Sequence, residues 1–165
     1  MWVILKFDKK KFNLLKEDFN KKLGKDCIFY NPKMKIQKFK GNKLSKIEFN
    51  ILGNYIFFFY KNLETKNIYN NLQFCRGLKY FLNGCTYSQN EIKGFIEKCK
   101  SLEDNNGYIV NNLFRLYENR NYKFSSGPFA ERIFKIINLQ KNKIDILMGN
   151  IKTTINRQNF LFKPI

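Results

Sequence analysis

The sequence predicts an α+β protein: an N-terminal antiparallel sheet flanked by helices, then a linker, then a small five-stranded β-barrel. Three observations support this fold class. Strand-like apolar runs alternate with amphipathic helices over the first hundred residues, polar turn formers crowd residues 103–115, and short strands fill the remainder. We therefore expect a first domain at residues 1–102, a linker at 103–115 and a second domain at 116–165.

Periodicity predicts the main elements of the first domain. Residues 2–7 are an apolar, β-rich run and predict a strand. Apolar residues recur every three or four positions over residues 9–23, which predicts a helix that ends at Gly24. Residues 54–60 are an unbroken aromatic and β-branched run, which predicts a strand buried on both faces at the centre of the sheet.

The rest of the first domain is predicted from shorter signals. Ser88 and Glu91 form a capping box ahead of an apolar stripe, which predicts a helix over about 89–100. A short helix is expected near residues 66–72 and a short strand near residues 78–82. These elements complete a sheet with helices beside it.

A basic hairpin is predicted between residues 33 and 46, where six lysines occur without one acid. Met34 and Ile36 alternate with lysine at the strand period, and Gly41-Asn42 is a turn sequence. One face of the hairpin is therefore apolar and the other cationic. The alternative interpretation is a solvated lysine face with no ligand, because charge runs are usually that.

The last fifty residues are typical of a small β-barrel, whose closure removes exposed strand edges. They contain five short strand patterns, separated by turns such as Gly149-Asn150. The expected strands are 122–124, 133–137, 144–148, 151–155 and 160–162.

The charge indicates a polyanionic partner. Lys and Arg number 31 against 13 Asp and Glu, a formal charge of +18. An AT-rich coding sequence inflates lysine without selection for binding, but it does not explain the deficit of acids. Residues 1–102 hold 21 basic and 8 acidic residues and residues 103–165 hold 10 and 5, so the sequence assigns anion binding mainly to the first domain.

Composition also excludes several classes of protein. The chain has no histidine, which excludes His-dependent catalytic pairs and His-ligated zinc. The four cysteines have no C-x-x-C spacing and are expected to be reduced, buried thiols. The apolar residues before the first lysine are too few for a signal peptide or a membrane span. We expect a cytoplasmic, monomeric protein that is not an enzyme and has no metal, cofactor or membrane partner.

The order of these motifs resembles the NusG family of transcription elongation factors. SGPFA at residues 126–130 is similar to the segment that opens the family's KOW domain, an SH3-like barrel. The tryptophan strand, amphipathic helix, basic hairpin, GNYIF at 53–57 and RGL at 76–78 fall where the family's N-terminal NGN domain has its equivalents. GNYIF and RGL are closer to the RfaH-like branch than to housekeeping NusG.

This resemblance implies a factor that binds RNA polymerase and suppresses pausing and termination. In the family, an apolar cavity on the NGN sheet receives the polymerase clamp helices. Tyr55 and Phe57 in the matching motif are the implied floor of this cavity, with Trp2 and Leu5 from the neighbouring strand. The alternative is that these residues are ordinary core, because alternate residues of a buried strand usually are.

The resemblance also implies DNA contacts. In the family, the positions matched by Arg76 and by the basic triplet at the start of the first helix contact the displaced non-template strand. The hairpin lysines are implied to extend this row of DNA contacts along the upstream duplex. Cations in a first helical turn oppose the helix dipole, which favours an anionic partner. The implied contacts are Lys9, Lys10, Lys11, Arg76, Lys35, Lys38, Lys40 and Lys43.

The KOW-like domain is implied to bind protein, either a small-subunit ribosomal protein or the Rho helicase. In RfaH the same segment also folds as a helical hairpin, and the sequence leaves such a switch open. Two positions depart from the family: Gly53 replaces a proline, and Glu131 replaces the glycine after Ala130.

Two other functions compete with this interpretation. A ribosome- or RNA-binding KOW protein agrees with the barrel and the positive charge. A metal-dependent nuclease needs clustered carboxylates, whereas the acids of the first domain are scattered.

Overall fold

The computed structural model describes residues 1–40, 43–63, 66–110 and 113–165, and the side chains of Phe39, Lys40, Leu44 and Lys66 lie outside that description. The turn predicted at Gly41-Asn42 also lies outside the described residues. The helices are α1 (Phe12–Leu23), α2 (Lys66–Leu72) and α3 (Gln89–Ser101). The strands are β1 (Trp2–Phe7), β2 (Ile28–Tyr30), β3 (Lys33–Lys40), β4 (Lys43–Asn50), β5 (Tyr55–Phe59), β6 (Leu78–Phe81), β7 (Asn121–Phe124), β8 (Ile133–Leu139), β9 (Lys143–Met148), β10 (Ile151–Asn156) and β11 (Phe162–Pro164).

These elements confirm the predicted α+β class. The N-terminal antiparallel sheet has the strand order β2-β5-β1-β6, so β5 is an interior strand as predicted. The C-terminal strands form an antiparallel sheet in the order β10-β9-β8-β7-β11, and β3 pairs with β4. Among the strand pairings of the described residues, none joins β10 to β11, so the closure predicted for a barrel is not seen there.

The backbone divides into two compact units whose limits differ from the predicted domains. Unit 1 comprises residues 1–32 and 50–98, and unit 2 comprises residues 33–49 and 99–165. The β3–β4 hairpin, predicted within the first domain, therefore belongs to unit 2. Unit 1 holds 14 basic and 7 acidic residues and unit 2 holds 17 and 6, giving formal charges of +7 and +11. The larger share of the charge therefore lies in unit 2, in which residues 33–49 contribute +5 and residues 99–165 contribute +6.

The core of unit 1 lies between the sheet and α1. Val3, Leu5 and Phe58 point to the same face, because paired residues of antiparallel strands share a side. Phe19 of α1 packs edge-on against Phe58, with ring centroids 4.9 Å apart. Leu15 is also fully buried, so the predicted stripe of α1 faces the sheet.

Unit 2 has its own core, and residues 103–110 of the predicted linker lie within this unit. Phe124 and Phe134 contact each other within that core, with centroids 4.3 Å apart. In the stretch predicted as a linker, the amide of Ile109 donates to the carbonyl of Lys33 (2.8 Å), and Ile109 is buried. Within the stretch predicted as a linker, Ile109 is thus hydrogen-bonded to the hairpin.

Several elements differ in detail from prediction. The first helix begins with a 3-10 turn at Lys9–Lys11 before α1. The strand β2 was not predicted, and the last strand lies at Phe162–Pro164 instead of 160–162. No helix within the described part of the chain is long and apolar enough to span a membrane. Over those same residues, no group of three or more His, Cys, Asp or Glu side chains is placed to hold a metal ion.

Candidate nucleic-acid and protein interface

One face of the unit 1 sheet, opposite α1, carries three rows of side chains in register. Ile28, Phe59 and Trp2 form the first row, across β2, β5 and β1. Tyr30, Phe57 and Ile4 form the second row. Tyr55, Lys6 and Tyr80 form the third, across β5, β1 and β6. The strand register therefore places an aromatic row and a lysine–tyrosine row at opposite ends of one surface.

The middle row is the covered one. The ring of Phe57 contacts Phe95 of α3, with centroids 5.9 Å apart, and Phe57 is only 3% exposed. In the first row, by contrast, Trp2 and Phe59 are half-buried, with ring centroids 5.2 Å apart, and Ile28 is 51% exposed. We call Ile28, Phe59 and Trp2 the aromatic patch.

The backbone of Trp2 is held by one glutamine. Strand β6 pairs only with the C-terminal half of β1, so the Trp2 backbone lacks a strand partner on that side. The amide of Trp2 donates to Gln89 Oε1 (3.0 Å), and Gln89 Nε2 donates to the carbonyl of Trp2 (2.7 Å). Gln89 at the start of α3 thus replaces a strand and fixes the position of the patch.

The third row forms a compact polar platform. The hydroxyls of Tyr55 and Tyr80 are 3.0 Å apart, and Lys6 Nζ lies 5.5 Å from the centroid of each ring. The hydrogen bond with Tyr55 lowers the pKa of Tyr80, and the same bond raises the pKa of Tyr55. The interaction with Tyr55, and then that with Tyr80, raises the pKa of Lys6 above the ordinary lysine value, so Lys6 is a cation at neutral pH. Tyr80 is 45% exposed, so its ring is available to a ligand.

The platform opens into a groove of about 590 Å³. We call this the basic groove, and its lining is cationic apart from one carboxylate and three uncharged side chains. Asp8 is engaged locally, because its Oδ1 accepts from the amide of Lys10 (3.0 Å) and caps the 3-10 turn. The lining residues are Lys6, Phe7, Asp8, Lys9, Lys10, Asn54, Lys79 and Tyr80. Exposed rings beside ammonium groups can stack a nucleobase and contact its phosphate.

The predicted basic triplet Lys9–Lys11 lies against the turn formed by Arg76 and Gly77, which we call the Arg76 turn. Lys9, Lys10 and Lys11 are exposed, and Gly77 packs against Lys11. A Cβ on Gly77 would come within 2.8 Å of Lys11 Cβ and 2.9 Å of its carbonyl oxygen, and Gly77 has a φ of +84°. Only glycine fits this close approach without displacing the backbone.

The guanidinium of Arg76 already has a partner inside unit 1. Its Nε and Nη2 donate to the carboxylate of Asp18 at 3.0 and 2.6 Å, and the Arg76 amide also donates to Asp18. Hydrogen bonds from Arg76 hold the pKa of Asp18 well below its usual range. Arg76 therefore anchors its turn to α1, and a DNA contact by Arg76 has to compete with Asp18.

Two of the predicted polymerase-binding residues are placed where they cannot form a surface. Leu5 pairs with Ile56 and lies on the opposite face from Tyr55 and Phe57, with no exposed area. The strand alternation separates Leu5 from Trp2, so the predicted grouping of Leu5 with the other three is corrected. Phe57 shares the right face but is covered by α3. Trp2 and Tyr55 remain accessible.

The hairpin lysines belong to unit 2. Lys35, Lys38 and Lys43 are exposed, and Lys35 Nζ lies 4.2 Å from the ring centroid of Tyr108. The side chain of Lys40 lies outside the described residues. A continuous track with Lys9–Lys11 of unit 1 therefore stays a prediction.

Sequence reasoning missed Lys6, Lys79 and Tyr80. Lys6 is the one charge inside an apolar strand, and Tyr80 directly precedes Phe81, which packs against the core. Both are signals that a strand end is solvent-facing. Only the pairing register shows that they meet.

Comparisons with known proteins give structural likenesses alone. No protein-family model matches the chain, and no curated protein matches it. A chain of the MjSpt4:Spt5 complex is 13% identical with a TM-score of 0.32, covering 100% of this chain and 98% of that one. Thermotoga maritima NusG is 13% identical with a TM-score of 0.35, covering 94% of this chain and 91% of that one.

Proposed function

We propose that this protein is a transcription elongation factor that binds RNA polymerase and contacts the DNA beside it. The observation that supports this most is the pairing of two surfaces on one sheet face. The aromatic patch suits a protein partner, and the basic groove at the other end of that face suits a nucleic-acid strand. Tyr55 lies in the row that borders the groove.

The proposed mechanism is binding without catalysis. A ligand shifts a conformational equilibrium only by the difference between its affinities for the two states. We propose that the protein prefers the closed, elongating state of the polymerase and so shortens pauses. Holding the non-template strand in the basic groove adds affinity for polymerase engaged on DNA, because that strand is single-stranded within the transcription bubble.

The test of polymerase binding uses purified core RNA polymerase in the absence of DNA. Wild-type protein is expected to co-purify with the polymerase, whereas Tyr55→Ala is expected to bind more weakly. Tyr87→Ala is the matched control, because Tyr87 is also a tyrosine of unit 1, is 92% exposed, and is neither a lining residue of the basic groove nor a member of the aromatic patch. Failure of the wild type to bind core polymerase contradicts the proposal.

A second candidate function is RNA binding through unit 2. One observation favours it: unit 2 carries the larger formal charge, +11. This function predicts co-sedimentation with ribosomes or structured RNA when no transcription takes place. Substituting Tyr55 is then expected to leave the RNA affinity unchanged, which separates the two functions.

A further inference from the structure

Three lysines from separate elements of unit 2 line one small recess. Lys123 of β7 and Lys163 of β11 are directly opposite each other in the antiparallel pair. Lys38 of β3 joins them, because the amide of Gln37 donates to the carbonyl of Ser125 at the end of β7 (2.8 Å). We call this the lysine recess, lined by Lys38, Lys123, Lys163, Ser125 and Glu131.

The lysines are close enough to repel one another. Burial lowers the pKa of Lys163, and the charges of Lys123 and Lys38 lower it further. Like charges directly opposite on paired strands are destabilising. Among the described residues, no carboxylate lies within 4.0 Å of any of the three ammonium groups, although Lys163 Nζ lies 5.2 Å from the ring centroid of Phe49.

A buried hydroxyl beside the lysines also lacks a partner. Ser125 is 3% exposed, and within the described part of the chain its Oγ has no hydrogen-bond partner. Its backbone is satisfied, because its amide donates to the carbonyl of Leu161 (2.7 Å) and its carbonyl accepts from Gln37. An unsatisfied buried hydroxyl is costly, so a hydrogen-bonding group placed in the recess would stabilise the folded protein.

The one acid that lines the recess does not neutralise it. Glu131 has a φ of +70°, a left-handed conformation that is strained for a residue other than glycine. Its amide donates to the carbonyl of Phe124 (2.9 Å), which fixes that conformation. The Glu131 charge raises the pKa of Lys163 less than burial and the other two lysines lower it.

We propose that the lysine recess binds a phosphate group. The recess has a volume of about 10 Å³, which is room for one water-sized group, and so for a single phosphate oxygen near the Ser125 hydroxyl. The remaining oxygens stay at the mouth, within reach of Lys38, Lys123 and Lys163. The phosphate comes from a nucleic-acid backbone or from free phosphate. The proposal does not rest on the proposed polymerase binding.

The test is thermal unfolding of the full chain with and without inorganic phosphate, at ionic strength held constant with sodium chloride. Phosphate is expected to raise the wild-type midpoint by a few degrees, since a ligand of the native state stabilises it. Lys163→Gln is expected to lose most of that shift, with a phosphate affinity at least about tenfold weaker. Lys135→Gln is the matched control, an exposed lysine of β8 outside the recess.

The unfolding midpoint measured without phosphate distinguishes a phosphate-binding role of Lys163 from a structural role. Lys163→Gln alone is expected to unfold at the same or a higher temperature than wild type, because repulsion is relieved. Ser125→Ala is the second variant, and it is expected to weaken phosphate binding without lowering the unliganded midpoint. The proposal is overturned if phosphate leaves the wild-type midpoint unchanged, or if wild type, Lys163→Gln and Lys135→Gln respond equally.

Two further arms identify the source of the phosphate. A single-stranded oligonucleotide that stabilises wild type but not Lys163→Gln supports a backbone phosphate. Stabilisation by inorganic phosphate alone, with no Lys163-dependent effect of the oligonucleotide, supports a free phosphate. If neither ligand gives an effect that depends on Lys163, a water molecule satisfies Ser125 and the proposal is wrong.

Discussion

The basic groove of unit 1 and the lysine recess of unit 2 are both cationic, yet they differ in what surrounds the charge. In the groove, Lys6 lies over the rings of Tyr55 and Tyr80, and the space is about 590 Å³. In the recess, three lysines converge on a space for one oxygen. Charge alone therefore does not define the ligand of a site. Aromatic rings in an open groove suit a base with its backbone, whereas converging lysines suit one phosphate group.

The largest expected effect is on binding of single-stranded DNA by the groove. Replacing both Tyr55 and Tyr80 by alanine is expected to weaken binding of a short oligonucleotide by about tenfold or more, because base stacking contributes roughly 1–3 kcal/mol per base. Fluorescence anisotropy without polymerase measures this effect. Tyr87→Ala is the control, and an equal loss in that variant contradicts a stacking role for the groove.

The next effect is on the salt dependence of the same binding. Replacing Lys9, Lys10 and Lys11 by glutamine is expected to reduce the slope of log K against log salt by about 2, since each phosphate contact on a single strand contributes roughly 0.7. The control triple variant is Lys21, Lys25 and Lys93 to glutamine, all exposed in unit 1. If both triple variants change the slope equally, the lysines act as general charge and not as a site.

A third prediction concerns the turn at Arg76 and Gly77, where the Gly77 carbonyl accepts from the amide of the groove residue Asp8. The pKa of Asp18 is depressed in the folded state, so its contribution to stability is present above the ordinary carboxyl pKa and is lost as pH falls through the folded value. Asp18→Asn is expected to lower the unfolding midpoint at neutral pH and to flatten its fall below about pH 5.

Thermal unfolding across pH measures this prediction, with Asp26→Asn as the exposed control in unit 1. An acid dependence in Asp18→Asn as steep as that of wild type indicates that the Asp18–Arg76 pair does not anchor the turn.

The smallest effect is on the titration of Tyr80. Because the Tyr55 hydrogen bond lowers the pKa of Tyr80, Tyr55→Phe is expected to raise that pKa toward the ordinary tyrosine value. NMR titration of tyrosine Cζ resonances measures the shift. An unchanged Tyr80 titration in Tyr55→Phe means that the two hydroxyls do not pair in solution, and the platform is then less ordered than described.

Much of the local structure follows from the sequence, because burial imposes a period on each element. Phe19 and Leu15 face the sheet as the helical stripe predicts, and Met34 and Ile36 are buried as strand alternation predicts. The strand β2 was missed because it has three residues between Asp26-Cys27 and Asn31-Pro32, too few to show alternation.

The site was predictable only in part, since it depends on long-range pairing. Tyr55 and the triplet Lys9–Lys11 were candidates from the sequence and are accessible in the structure. Leu5 was grouped with Trp2 although the two are three residues apart on one strand, and this odd spacing places them on opposite faces. Gly53 has a φ of +62°, which proline cannot adopt, so the departure from the family at this turn fits the local backbone. The convergence of Lys123 and Lys163 follows from the β7–β11 register and from no local motif.

If binding to the polymerase favours its elongating state, the protein shortens transcriptional pauses, and a transcription assay measures their lifetimes. Purified polymerase is halted and released on a template with a defined pause site, with and without saturating protein. We predict shorter pauses with wild type, a smaller effect with Tyr55→Ala, and a wild-type effect with Tyr87→Ala. Unchanged pause lifetimes while the wild-type protein is bound to the polymerase would contradict the account.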